Sequence, residues 1–223
     1  MASLSTFWSL FQEICVAGSE TSATAIEWTL SELMKNPSVM EKAQSEVRQV
    51  LGKKSNIEEA DLGELKYLKL VLKEIFRLHP PNPMLLPRES LADIKIGGYD
   101  IPAKTKLIVN AWAIQRDPQY WDEPERFYPE RFIDSNIDFK GSDFELLPFG
   151  GGRRMCPGIP YTVPFIELTL ANLLCHFDWK LPTGMEPKDL DMTEAIGLIA
   201  RRKNDLHLVP VPYPLLDNKL MSS

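Results

Sequence analysis

Residues 149–158 read Phe149-Gly150-Gly151-Gly152-Arg153-Arg154-Met155-Cys156-Pro157-Gly158. Three consecutive glycines permit backbone conformations and close approaches that a Cβ would block. Pro157 suits the first position of a helix, so the cysteine stands where a helix is about to begin. A thiolate is a soft, electron-rich ligand suited to iron once its charge is stabilised, and backbone N–H groups at a helix N-terminus can do that. Arg154 adds a positive charge able to pair with a carboxylate. The same ten residues also read as a plain glycine turn carrying a buried cysteine. Nucleotide motifs fail here: Met155 occupies the last glycine position of the GxGxxG that Gly150 and Gly152 begin, and no GKS or GKT follows.

The rest of the chain bounds what this loop can belong to. Of 223 residues, 44% are hydrophobic, 25% charged and 9% aromatic, a balance that supports a globular core and argues against wholesale disorder. The net charge is −6, and the longest basic clusters are Arg153-Arg154 and Arg201-Arg202-Lys203, so no nucleic-acid partner is expected. No uncharged apolar run reaches the roughly 18 residues that a transmembrane helix needs. The opening MASLSTFWSLFQEICVAG has no Lys or Arg ahead of its apolar residues and is interrupted by Glu13, so it reads as the start of a helix and not as a signal peptide. The three cysteines, Cys15, Cys156 and Cys175, fit neither a disulfide framework nor a CxxC zinc site. Cys15 and Cys175 sit among apolar helical residues and are expected to be buried. His79, His176 and His207 form no i,i+4 pair of metal ligands.

Prolines divide the chain: residues 1–79 hold one, Pro37, and the other 17 follow. Long helices are therefore expected first and a broken, loop-rich chain afterwards. Phe7, Leu10, Ile14, Ala17, Ala25, Trp28 and Leu33 recur at helical spacing over 6–35, ended by Asn36-Pro37. A second helix is predicted over about 38–51, then a turn of helix near 58–63. A third is predicted over Leu65–Leu78, with Leu68, Val71, Leu72, Ile75 and Phe76 on one side. Residues 92–110 partly alternate, and Gly97-Gly98 can turn one strand into the next. Residues 116–148 are too long for an idle connector and are either disordered or a pinned functional loop. Ile159–His176 reads as an apolar helix in which Pro164 should introduce a kink or delay the start. Phe177–Leu181 and Leu206–Val209 read as short strands. The fold class is mainly α with small β-sheets.

Four further stretches carry candidate chemistry. In Ala17-Gly18-Ser19-Glu20-Thr21-Ser22, either Ser19 caps a helix that begins there, or Gly18 and a Thr21 hydroxyl bonded one turn back open a longer helix locally. Glu74 and Arg77 lie three apart on a helix, a spacing that usually makes a solvated pair. Pro83-Met84-Leu85-Leu86-Pro87-Arg88 places three apolar side chains between prolines, and Pro129-Glu130-Arg131-Phe132 follows a near-duplicate, Pro124-Glu125-Arg126-Phe127.

Phe149, Gly152, Arg154, Cys156 and Gly158 together satisfy Phe-x-x-Gly-x-Arg-x-Cys-x-Gly, which resembles the haem-binding signature of cytochrome P-450. The other stretches resemble that family's remaining motifs in order. The strongest kinship is with the plant microsomal 71 clan, in LKYLKLVLKEIFRLHPP, IGGYDIP, VNAWAIQRDP and DFELLPFGGGRRMCPG. The resemblance implies haem b, iron protoporphyrin IX, with Cys156 as the axial iron ligand, Phe149 beside the sulfur, and Arg154 and Arg88 at the propionates. It implies an oxygen-activation motif at residues 17–22, with Gly18 against the cofactor, Thr21 assisting dioxygen activation and Glu20 relaying protons. It implies a buried structural triad of Glu74, Arg77 and Arg131. It implies a substrate pocket bordered by Ala17, Met84, Leu85 and Leu86, and by Leu198 and Ile199 of the turn within Asp191–Leu198 and its neighbour.

Read this way, residues 1–223 are a partial cytochrome P-450 domain, the C-terminal half of that fold, without the membrane anchor and N-terminal half of a complete member. The implied activity is a haem-thiolate monooxygenase acting on an apolar small molecule, expected to be a plant secondary metabolite, with electrons from NADPH-cytochrome P-450 reductase. A full-length relative would sit on the cytosolic face of the endoplasmic reticulum membrane. The alternative is a truncated, non-catalytic chain that does not hold haem. Relatives that rearrange hydroperoxides without dioxygen typically lack the helix threonine, so Thr21 and Glu20 favour oxygen activation.

Overall fold

The computed structural model describes residues 4–52, 54–195 and 197–214. Five helices and three two-stranded antiparallel sheets make the architecture among them, helix-dominated as composition and periodicity suggested.

Helix α1 (Leu4–Lys35) is unbroken over 32 residues. Its burial is lopsided. Residues 11–20 are exposed throughout, whereas Ala25, Trp28, Thr29, Ser31 and Leu33 are almost entirely buried. Cys15 lies on the exposed part, which corrects the expectation that it is buried; Cys175 is buried as expected. Asn36 stops α1 by donating from its backbone and its side chain to the Glu32 carbonyl, both at 2.9 Å. Pro37 then opens α2 (Pro37–Leu51) at the position where a missing N–H costs nothing, and Gly52 closes it in a positive-φ conformation.

Helix α3 (Lys66–Leu78) starts under the carboxylate of Glu46 from α2, which accepts the N–H groups of Tyr67 and Leu68 at 2.7 and 2.9 Å. Two orphan donors of the first turn are thereby satisfied from a neighbouring helix. The apolar face of α3, including Leu68, Val71, Leu72, Ile75 and Phe76, packs into one core with α1, α2 and α5 (Ile159–His176). Helix α5 begins at Ile159 without delay. Pro164 removes one bond, to the carbonyl of exposed Pro160 in the first turn, where water can replace it.

Strands β1 (Arg88–Glu89) and β4 (Lys106–Leu107) form one ladder, β2 (Ile94–Ile96) and β3 (Tyr99–Ile101) a second, turned by Gly97-Gly98, and β5 (Phe177–Lys180) and β6 (Val209–Pro212) a third. The last strand lies later than the expected Leu206–Val209. It contains Pro210 and Pro212, which a two-stranded sheet tolerates because its edges have no need of the missing donors. The long segment 116–148 is pinned. After the short helix α4 (Ala111–Ile114), Trp121, Phe132 and Leu146 make a second small core, backed by Leu70 of α3.

Candidate functional site

The cysteine loop is held from three sides. The Leu147 N–H donates to Oε1 of fully buried Gln115 at 2.8 Å, Gly150 N–H to the Leu147 carbonyl at 3.0 Å, and Cys156 N–H to the Phe149 carbonyl at 3.0 Å. The Phe149 ring packs edge-on to Phe76 of α3 and Phe139, with centroids 5.0 and 5.5 Å away. Gly150 and Gly152 take φ of 71° and 67°, the left-handed region that a side chain resists. The loop is thus folded back on itself, and its cysteine is left outside.

Cys156 is a free, exposed thiol, three residues ahead of α5. Its sulfur rests on the helix start, 3.6 Å from where a Cβ on Gly158 would stand. Cys156 is therefore not buried, as the plain glycine-turn alternative would have it. Cys175 shows the contrast: burial pushes its thiol up to about 11.

The 83–88 segment lies along this loop. Half-buried Arg88 donates from Nη2 to the Arg154 carbonyl at 3.0 Å, while the Arg154 side chain is exposed. Leu85, at a positive φ of 49°, brings its Cδ1 to 3.7 Å from the Cβ position of Gly150. Met84 and Leu86 are exposed. The terminal turn joins them, because the Ala200 N–H donates to the Pro81 carbonyl at 2.9 Å; Leu198 is 67% exposed and Ile199 half-buried. Ile196, within that motif, lies outside the described residues.

On α1, three hydroxyls bond back one turn: Ser19 to Cys15, Thr21 to Ala17 and Ser22 to Gly18, at 2.6, 2.5 and 2.6 Å. The helix does not begin at Ser19, nor does it open at Gly18. A carbonyl oxygen has two lone pairs and can accept a hydroxyl without surrendering the helical bond. Ala17, Gly18 and Glu20 are exposed, and Thr21 is half-buried. Glu20 borders a polar cleft of about 410 Å³ between α1 and the terminal turn, shared with Glu27, Arg201, Lys203 and Asp205.

Glu74, Arg77 and Arg131 meet. Arg77 binds both carboxylate oxygens of Glu74 at 2.7 and 2.9 Å, and Arg131 Nε binds Oε1 at 3.0 Å. Glu74 and Arg77 are fully buried, not solvated, and the near-duplicate Arg126 pairs outside with Glu123. Arg77 also donates to the Gln115 and Pro124 carbonyls at 2.8 and 2.7 Å. Gln115 escaped the sequence reading. Its amide donates to the Phe76 and Arg77 carbonyls, so one side chain joins the triad to the cysteine loop. A buried glutamine in VNAWAIQRDP carries no local periodicity to mark it.

The donor set fits a haem. One soft thiol is available for a metal, two arginines lie at the loop for anionic groups, and exposed Met84, Leu86 and Leu198 offer apolar contact to a flat macrocycle. Among the described residues no group of three or more His, Cys, Asp or Glu side chains clusters as a metal site; a haem needs only one such ligand.

Residues 9–209 match the family described as Cytochrome P-450. Premnaspirodiene oxygenase of Hyoscyamus muticus is 55% identical over 201 residues, covering 90% of this chain and 40% of that relative. Tabersonine 16-hydroxylase 2 of Catharanthus roseus is 58% identical over 198 residues, covering 88% and 39%. A solved zebrafish cytochrome P-450 with progesterone superposes with a TM-score of 0.77 at 32% identity, over 90% of this chain and 44% of that one. The chain spans about two fifths of the length of the curated relatives it matches.

Proposed function

We propose that this chain, which belongs to the cytochrome P-450 family, is the haem-ligating part of a haem-thiolate monooxygenase. The observation that carries the reading is a free, exposed Cys156 at the start of α5, on a loop fastened to the core by Gln115 and Phe149. When bound, haem b supplies the redox chemistry that activates dioxygen. The overall reaction it would serve is insertion of one oxygen atom of O2 into an apolar substrate, the other being reduced to water by two protons and two electrons from NADPH through NADPH-cytochrome P-450 reductase.

The residues of this chain hold, orient and deliver protons. Cys156 would ligate the iron, Phe149 would shield the sulfur, and Arg88 and Arg154 would neutralise the propionates. Gly18 leaves room beside α1. Glu20, open to the polar cleft, takes a proton from solvent and passes it toward Thr21, whose donated hydrogen bond to Ala17 leaves its oxygen free to accept. Ala17, Met84, Leu85, Leu86, Leu198 and Ile199 form the apolar border that excludes water and holds the substrate. Apolar plant secondary metabolites are the substrate class, in keeping with the names of the relatives. The proposed location is the cytosolic face of the endoplasmic reticulum membrane. No helix among the described residues is long and apolar enough to cross one.

A second reading, a chain that does not hold haem, is favoured by the exposed Phe11, Ile14 and Val16 on α1, a surface that promotes association. The reduced, carbon-monoxide-bound spectrum separates the two. The proposal requires the Soret position of a thiolate-ligated haem and its loss in Cys156→Ala. A wild-type protein without that band would support the second reading.

A further inference from the structure

We propose that His79, held between Glu32 of α1 and Glu194 of the terminal turn, positions the turn bearing Leu198 and Ile199 and thereby sets the shape of the apolar pocket. The inference rests on the reading above, in which that turn borders the pocket.

His79 is 7% exposed and lies flat on Trp28, with ring centroids 4.1 Å apart and planes inclined by 5°. Its Nε2 stands 2.8 Å from Glu32 Oε1. Its Nδ1 is buried without a hydrogen-bond partner, and Glu194 Oε1 lies 3.6 Å away. A buried ring nitrogen left unpaired is costly, and a shift of a few tenths of an ångström brings Glu194 within bonding range. One imidazole thus stands between two carboxylates from different elements.

The turn is gripped on its other arm as well. Trp28 Nε1 donates to the Ala200 carbonyl at 2.8 Å, and Ala200 N–H donates to the Pro81 carbonyl at 2.9 Å, two residues after His79. Buried Arg202 donates to Ser31 Oγ at 3.0 Å and to the Asp191 carbonyl at 2.6 Å. Trp28, Ser31 and Glu32 share one face of α1 by their i,i+3 and i,i+4 spacing. The helix that carries Thr21 therefore also anchors the turn. Leu198, mostly in solvent, has little packing of its own, so its place depends on this clasp.

The test uses haem-loaded protein and two iron-binding probes read by the Soret shift: clotrimazole, bulky and apolar, and imidazole, too small to touch the pocket walls. Glu194→Ala should weaken clotrimazole about tenfold and speed amide exchange at residues 197–201, while imidazole binding stays within about twofold. Glu194→Gln, which keeps a hydrogen-bonding oxygen, should restore most of the clotrimazole affinity. Leu198→Ala, at an exposed position that spares the clasp, should also weaken clotrimazole. Unchanged clotrimazole binding in Glu194→Ala overturns the proposal, even if exchange quickens, as does an equal loss for both probes. A wild-type protein lacking the thiolate-haem band fails the underlying reading instead.

Discussion

Arg77 and Glu74 meet as a two-pronged pair, Nε to Oε2 at 2.7 Å and Nη2 to Oε1 at 2.9 Å, with neither side chain open to solvent. The same carboxylate accepts Arg131 Nε at 3.0 Å and the Tyr128 N–H at 2.8 Å. A single acid therefore fastens α3 to the proline-rich segment beneath the cysteine loop.

Removing that acid strands a guanidinium in the core. Glu74→Ala is expected to cost about 3–5 kcal/mol in urea unfolding, whereas Glu123→Ala, which breaks only the exposed pair with Arg126, should cost about 1 kcal/mol or less. Equal effects from the two substitutions would refute a buried role for the triad.

Gln115→Leu keeps most of the volume but deletes every polar contact of that side chain. The Leu147 N–H loses its acceptor, and the Phe76 and Arg77 carbonyls lose a donor. A loss of about 2–3 kcal/mol is expected, with faster amide exchange over residues 147–156. If the loop exchanges at the wild-type rate, it is held by something other than Gln115.

The cysteines should separate by reactivity. In haem-free native protein Cys15 and Cys156 should be alkylated readily, and Cys175 only after unfolding, because it is buried with its thiol pushed up to about 11. Haem loading should then protect Cys156 and leave Cys15 reactive. Mass mapping of alkylated peptides checks this, and an unprotected Cys156 in loaded protein would rule it out as the ligand.

Asp191 makes the terminal turn sensitive to acid. Hydrogen bonds from Thr193, through its hydroxyl and its N–H, and from Asn204 hold its carboxyl down at about 2. A carboxyl lowered in the folded state contributes stability that is complete above its unfolded value, near pH 4, and is lost as pH falls toward about 2. Asp191→Ala should flatten that acid limb of the stability profile. An unaltered limb between about pH 4 and 2 would show that another group governs it.

Much of the helical frame could be read in one dimension. The α3 stripe from Leu68 to Phe76, the Asn36-Pro37 break and the glycine-proline bracket around Cys156 are local signals, since the period of a helix and the demands of a turn act over a few neighbours. Pro164 misled in part for the same local reason, since α5 starts without the delay that was one of its two expected effects. Proline weakens an isolated element, but a first turn near solvent and a two-stranded edge both tolerate the missing donor. Cys15 misled differently, because an apolar neighbourhood in sequence does not say whether another helix covers that face.

The amino-acid sequence alone determined where the long helices run, that a lone cysteine heads one of them, and the family to which the motifs point. Only the tertiary structure decided how Glu74 and Arg77 are buried together, that Gln115 links them to the cysteine loop, and that His79 lies between Glu32 and Glu194. Periodicity reports which side of a helix is apolar. The burial and pairing of a polar side chain depend on partners dozens of residues away, whose positions exist only once the chain has folded.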